Sequence, residues 1–209
     1  MIVKICGITS LDAARAAFEY GADLIGLVFA PSRRRIEVTQ AAAIAAELPR
    51  LSRVGVFVNQ PLSEVQNIAD KCDLDFIQLH GDEDEAYCQS LQHPIIRAVR
   101  VGADFSVGSF ANYAHCSYTL LDTYIAGQAG GTGISFDWQK IRNRIGRPRQ
   151  RFIVAGGLTP ETVEKAILTL QPDGVDVSGG VETNGIKDLE KMRKFIAAAR
   201  QAARRSSEC

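Results

Sequence analysis

The chain has 209 residues and a mass of 22.7 kDa, of which 46% are hydrophobic, enough for one compact domain with a sizeable core. Its 24 basic and 24 acidic side chains cancel, so no overall field recruits nucleic acid or an anionic membrane, and any bound anion must meet a local site. Five cysteines without CxxC spacing and three histidines without HExxH point away from a disulfide framework or a metal, and toward reduced thiols in the cytoplasm.

In chain order, MIVKICGITS begins with a short strand, Ile2 to Cys6, that leaves no room ahead of it for an expected targeting peptide. LDAARAAFEYG reads as a helix with Thr9 or Ser10 as its cap and an end at Gly21. Strand-like Asp23 to Phe29 and helical TQAAAIAAEL follow, then RVGVFVN, PLSEVQNIADK, DFIQLH, DEDEAYCQSL and PIIRAV. A weaker helix near FSVGSFANY precedes YTLLD, a glycine-rich loop, a short helix from Phe136, FIVAGG, TPETVEKAILTL, GVDVSGG and a last helix from about Lys187 to Arg204. The strands are apolar throughout rather than alternating, as strands covered on both faces are, and strict alternation with helices means a parallel sheet. About eight strand–helix units favour a compact (β/α)8 TIM barrel over residues 1–204 with a short tail at 205–209; a doubly wound open sheet needs fewer strands. No apolar run approaches membrane-spanning length.

Chemistry in such a sheet gathers at the carboxyl ends of the strands. Cys6, His80 and Asp122 each end an apolar run, and Arg33, Arg34 and Arg35 follow the second strand. A helix cap or loop acceptor is the other reading of Asp122, core packing that of Cys6 and His80, and a solvated face that of most of the arginines. Lys4 shares strand parity with Cys6 and so points into the barrel beneath it; a buried ammonium needs a partner, and Asp176 on the last strand is placed to be one. Three glycine-rich turns, at 127–133, 155–161 and 178–185, allow backbone amides to approach a phosphate, and barrels often bind phosphate after strands seven and eight, at Gly156–Gly157 and Gly179–Gly180. Thr159 is expected to cap a helix that begins at Pro160. Gly180 and Gly185 have Walker spacing, but Ile186 intervenes before Lys187, so a nucleoside triphosphate is not indicated.

Taken together, KICGIT at 4–9, GLVF with SRRR, VGVFVN, QLHG, LLDT, GGTG with FDW, AGGLTPE and VDVSGG resemble the phosphoribosylanthranilate isomerases of tryptophan biosynthesis, from Lys4 to about Lys191. The resemblance implies Cys6 as general base and Asp122 as general acid. It implies Arg34 as the group holding the anthranilate carboxylate, with Arg33 or Arg35 one register away. Gly156, Gly157, Ser178, Gly179 and Gly180 then hold the ribose phosphate, and His80, Lys4 and Asp176 are auxiliary. It implies no cofactor and a small sugar-phosphate substrate; separately, no metal is expected, and a monomer is expected in preference to a homodimer. A Schiff-base lyase using Lys4, related to indole-glycerol-phosphate synthase, is a second enzymatic reading. A catalytically inert sugar-phosphate-binding module is a third, and the presence of both Cys6 and Asp122 argues against it.

Overall fold

The computed structural model describes residues 1–101, 115–122, 138–145 and 150–207. Eight parallel strands close on themselves in sequential order: β1 (Ile2–Cys6), β2 (Leu24–Val28), β3 (Ser52–Phe57), β4 (Phe76–Leu79), β5 (Ile95–Arg100), β6 (Tyr118–Asp122), β7 (Phe152–Ala155) and β8 (Gly174–Val177). Outside them lie α1 (Leu11–Glu19), α2 (Val38–Glu47), α3 (Leu62–Lys71), α4 (Glu85–Gln89), α5 (Trp138–Ile145), α6 (Val163–Leu170) and α7 (Leu189–Ser207). The closed barrel is the architecture expected, and the open sheet is excluded. The weak helix expected near 105–113 and the glycine turn at 127–133 lie outside the described residues.

Two apolar clusters account for the unbroken hydrophobicity of the strands. One set of strand residues faces outward and packs under the helices, where α1 supplies Ala13, Ala14, Ala16 and Ala17 and α7 supplies Met192, Phe195, Ile196, Ala199 and Ala202 at helical spacing. The alternate residues, Leu24, Val54, Ile96, Ala98, Leu120, Ile153 and Ala155, fill the barrel itself. Among the described residues, no helix is long and apolar enough to cross a membrane.

One helix cap is as expected, and the ends of two helices depart from the expectations. Ser10 caps α1, its hydroxyl accepting from the Ala13 N–H at 3.3 Å. Helix α6 starts at Val163 rather than Pro160, because Thr159 opens a turn first: its hydroxyl accepts from the Glu161 N–H and its carbonyl from the N–H groups of Thr162 and Val163. The last helix starts at Leu189 and continues to Ser207, so residues 205–207 are helix and not tail. Ahead of it sits an unanticipated two-stranded hairpin, β9 (Glu182–Thr183) and β10 (Ile186–Lys187), turned by Asn184 and Gly185 with φ of +53° and +80°. Positive φ at both central residues is what a tight hairpin requires, and Asn-Gly is the dipeptide that supplies it most readily.

The loops leaving β3 and β4 are clasped by a buried pair. Arg97, which β5 turns outward, donates to Glu83 at 2.9 Å and to the carbonyls of Leu79 and Gly81; Glu83 in turn accepts from the N–H groups of Asn59 and Gly81. Both side chains are almost fully buried. Arg97→Met should leave the Glu83 carboxylate buried without its counter-charge and cost about 3–5 kcal/mol, read as a lowered midpoint with unchanged slope in chemical denaturation.

Candidate active site

At the carboxyl end of β1, Cys6 and Lys4 point into the barrel one above the other. Lys4 is fully buried, pairs in register with Asp176 across the β1–β8 seam, and lies 3.0 Å from Asp176 Oδ1. Burial alone would lower the Lys4 pKa, but the Asp176 carboxylate and Cys6 outweigh it and raise it, so Lys4 is an ammonium. The Cys6 thiol is pushed up by burial, with the Asp176 carboxylate adding to the effect; the ammonium groups of Lys4 and Lys187 pull the other way without prevailing. The resting residue is a thiol. Space for the sulfur comes from Gly26 on the adjacent strand, where an added methyl would lie 2.6 Å from Cys6 Sγ. Gly7 follows at φ +75°, and a methyl there would stand 2.5 Å from Arg34 Cδ, so both backbone conformation and space demand glycine after the cysteine.

On the far wall, three polar side chains form a row. Gln78 Nε2 is 3.2 Å from His80 Nδ1, and His80 Nε2 is 3.1 Å from Asp122 Oδ2. His80 and Asp122 are partly open to solvent, whereas Gln78 is 1% exposed.

The three arginines differ in exposure, although Arg33 as well as Arg34 bonds Glu182, the Nη2 of Arg33 donating to Oε2 at 3.1 Å. Arg33 and Arg35 are 64% and 56% exposed at the side chain, while Arg34 is 23% exposed and lies over the mouth beside Gly7 and Gly179. Glu182, carried by the hairpin, holds it in place: Oε1 accepts from Arg34 Nε at 2.6 Å and Oε2 from Nη2 at 2.9 Å, a bidentate fork. Lys187, directly opposite Glu182 in the hairpin, donates to the same carboxylate at 2.8 Å and to the Ser178 carbonyl at 3.0 Å. Burial would raise the Glu182 pKa, but the Arg34 and Lys187 hydrogen bonds and charges override it and bring it to about 2. Ser178 donates its hydroxyl to the Cys6 carbonyl at 3.0 Å, tying the ends of β8 and β1 together.

The two late glycine turns touch. A methyl on Gly180 would fall 1.8 Å from the Leu158 carbonyl oxygen, so the backbone after β8 is packed directly against the backbone after β7. Gly156 and Gly157 both have positive φ, and Gly179–Val181 forms a short 3-10 turn. Gly179 lies beside Arg34, where an added methyl would stand 3.2 Å from Nη2.

A family model described as N-(5'phosphoribosyl)anthranilate (PRA) isomerase matches residues 3–198. The chain belongs to this family. It is 48% identical over 201 residues to the N-(5'-phosphoribosyl)anthranilate isomerase of Pseudomonas fluorescens strain Pf0-1, covering 94% of this chain and 97% of that one. It is 41% identical to that of Bacillus cereus, over 97% of this chain and the whole of the other. Among solved structures, phosphoribosyl anthranilate isomerase from Thermotoga maritima superposes with a TM-score of 0.85 at 38% identity, over 96% of this chain and all of that chain. Another isomerase structure, in complex with reduced 1-(o-carboxyphenylamino)-1-deoxyribulose 5-phosphate, superposes at 0.82 with 37% identity.

The residues named from the isomerase resemblance gather at one end of the barrel: Cys6 with Lys4 and Asp176 below it, Asp122 with His80, Arg34, and the turns at 156–157 and 178–180. Glu182, Lys187 and Gln78 were not anticipated. For the first two a signal was present, since Asn184–Gly185 marks a hairpin that sets Glu182 opposite Lys187; for Gln78 there was only its parity with His80. Because the folded Glu182 is ionised far below the ordinary glutamate value near 4.5, the unfolded chain binds the extra proton in between. The Glu182 contribution to stability is therefore complete above about pH 4.5 and lost as pH falls toward about 2. Glu182→Gln should flatten acid unfolding in that window, measured as denaturation free energy against pH for variant and parent.

Proposed function

We propose that the chain converts N-(5-phosphoribosyl)anthranilate to 1-(2-carboxyphenylamino)-1-deoxyribulose 5-phosphate by an acid/base Amadori rearrangement, a cytoplasmic step of tryptophan biosynthesis. One observation carries the assignment of roles: a carboxyl group and a thiol face the same barrel mouth from β6 and β1, three strands apart around the closed ring. Asp122 gives a proton to the furanose oxygen, the carbon–oxygen bond breaks, and the anilino nitrogen becomes an iminium. The iminium acidifies the adjacent carbon. Cys6, as thiolate, takes the proton from that carbon, and the enolamine tautomerises to the ketone. No redox equivalent enters or leaves, and the reaction needs no cofactor.

The remaining groups bind. The amides of Gly156, Gly157, Gly179 and Gly180 are arranged to receive the phosphate, with the Ser178 backbone leading into them. Arg34, already oriented by Glu182, presents the rest of its guanidinium to the anthranilate carboxylate. Lys4 stabilises the Cys6 thiolate when it forms, and Asp176 keeps Lys4 charged.

Cys6→Ala and Asp122→Asn should each fold and lose roughly 10²–10⁴ in kcat, since that is the contribution of a positioned acid or base. Loss of anthranilate fluorescence measures turnover, and near-parental turnover by either variant removes that residue from the mechanism. With the thiol raised by burial, the parental rate should still climb as pH rises through neutrality, and Cys6→Ser should not rescue it.

The chain acts as a monomer in this reading, so analytical ultracentrifugation should show one 22.7 kDa species. One Thermotoga maritima structure concerns monomers generated from a dimeric isomerase, and a dimer-sized species here would place this chain with that dimeric form.

A further inference from the structure

Gln78 is enclosed in the barrel, 1% exposed, and spends its amide in an unusual way. Its Nε2 meets His80 Nδ1 at 3.2 Å, while its Oε1 is buried with no hydrogen-bond partner among the described residues. An unsatisfied buried amide oxygen is a cost that a methionine of similar volume would not carry. The amide must therefore supply something at its other end.

An amide N–H can only donate, so Nδ1 of His80 accepts. The neutral ring then carries its proton on Nε2, which lies 3.1 Å from Asp122 Oδ2 and donates to it. An oxygen receiving that N–H is disfavoured as the site of the carboxyl proton, which is left to Oδ1. We propose that Gln78 is a positioning residue: by fixing the tautomer of His80, it decides which oxygen of Asp122 holds the transferable proton. This rests on the acid role proposed for Asp122. When Oδ1 has given its proton to the furanose oxygen, the Nε2–H bond to Oδ2 remains and becomes charge-assisted, so the same contact steadies the carboxylate product of the step. His80 neither gains nor loses a proton.

The test is nitrogen NMR on the whole enzyme labelled with 15N-histidine, read alongside steady-state kinetics. The chain has three histidines, and the His80 signals are those missing from His80→Asn. The parental enzyme should show protonated Nε2 and unprotonated Nδ1 at His80. Gln78→Met should release the ring to a mixture of tautomers and lower kcat about two- to tenfold, the value of one hydrogen bond, with KM unchanged. Gln78→Glu, which can only accept at Nδ1, should protonate that nitrogen and lower kcat further. A parental ring protonated at Nδ1 overturns the proposal without any variant. So does a Gln78→Met enzyme with parental ring signals and parental kcat. The acid role fails separately: an active Asp122→Asn variant removes it and this proposal together, whereas an inactive Asp122→Asn beside an Nδ1-protonated ring overturns this proposal alone.

Discussion

A fully buried ammonium beside a carboxylate, Lys4 with Asp176, is the constraint around which the molecule closes. The desolvation of such a pair offsets most of its attraction, so its value lies less in net stability than in what it forbids. A slip of one residue between β1 and β8 would turn Asp176 to the outside and strand Lys4 in the barrel without counter-charge. The last hydrogen-bonded seam of the barrel is thereby set in register. Cys6 rises from the same strand face, so the pair that closes the barrel also supplies the electrostatics of the thiol above it.

A second charged centre governs the mouth. Glu182 takes hydrogen bonds from Arg34 and Lys187 at once, and Lys187 reaches on to the carbonyl and hydroxyl of Ser178, which is bonded to the Cys6 carbonyl. Arg34, the end of β8 and the end of β1 are thus one connected polar assembly. A long, flexible arginine loses much rotamer freedom on binding an anion. Here most of that loss is incurred in folding, because the bidentate fork to Glu182 has already chosen the rotamer.

The two walls of the site are built on different physics. The Cys6 wall is charged and tightly buried, with burial raising the thiol pKa and the Lys4 ammonium opposing it. The Asp122 wall is a chain of hydrogen-bonding side chains, Gln78, His80 and Asp122, running from the barrel interior to its rim. In the reaction proposed for the chain, proton transfer in opposite directions at two ends of one substrate would benefit from that asymmetry, since an acid and a base in a shared environment tend to neutralise each other.

The amino-acid sequence by itself determined the alternation of strands and helices, the closed eight-stranded barrel, the strand ends on which Cys6, His80 and Asp122 stand, and the parity that puts Lys4 beneath Cys6. These depend on local periodicity and on the period-two geometry of a strand, which a linear reading contains. Only the tertiary structure decided which of three adjacent arginines reaches the mouth, where α6 and α7 begin, and that the turns after β7 and β8 touch. It also revealed Glu182, Lys187 and Gln78 as neighbours of the site. The arginine and the touching turns depend on distances between segments far apart in the chain: Arg34 is held by a bidentate fork to a carboxylate 148 residues away, to which the exposed Arg33 makes a single bond. No local propensity encodes such a choice, because it is made by burial and charge balance after the barrel has closed.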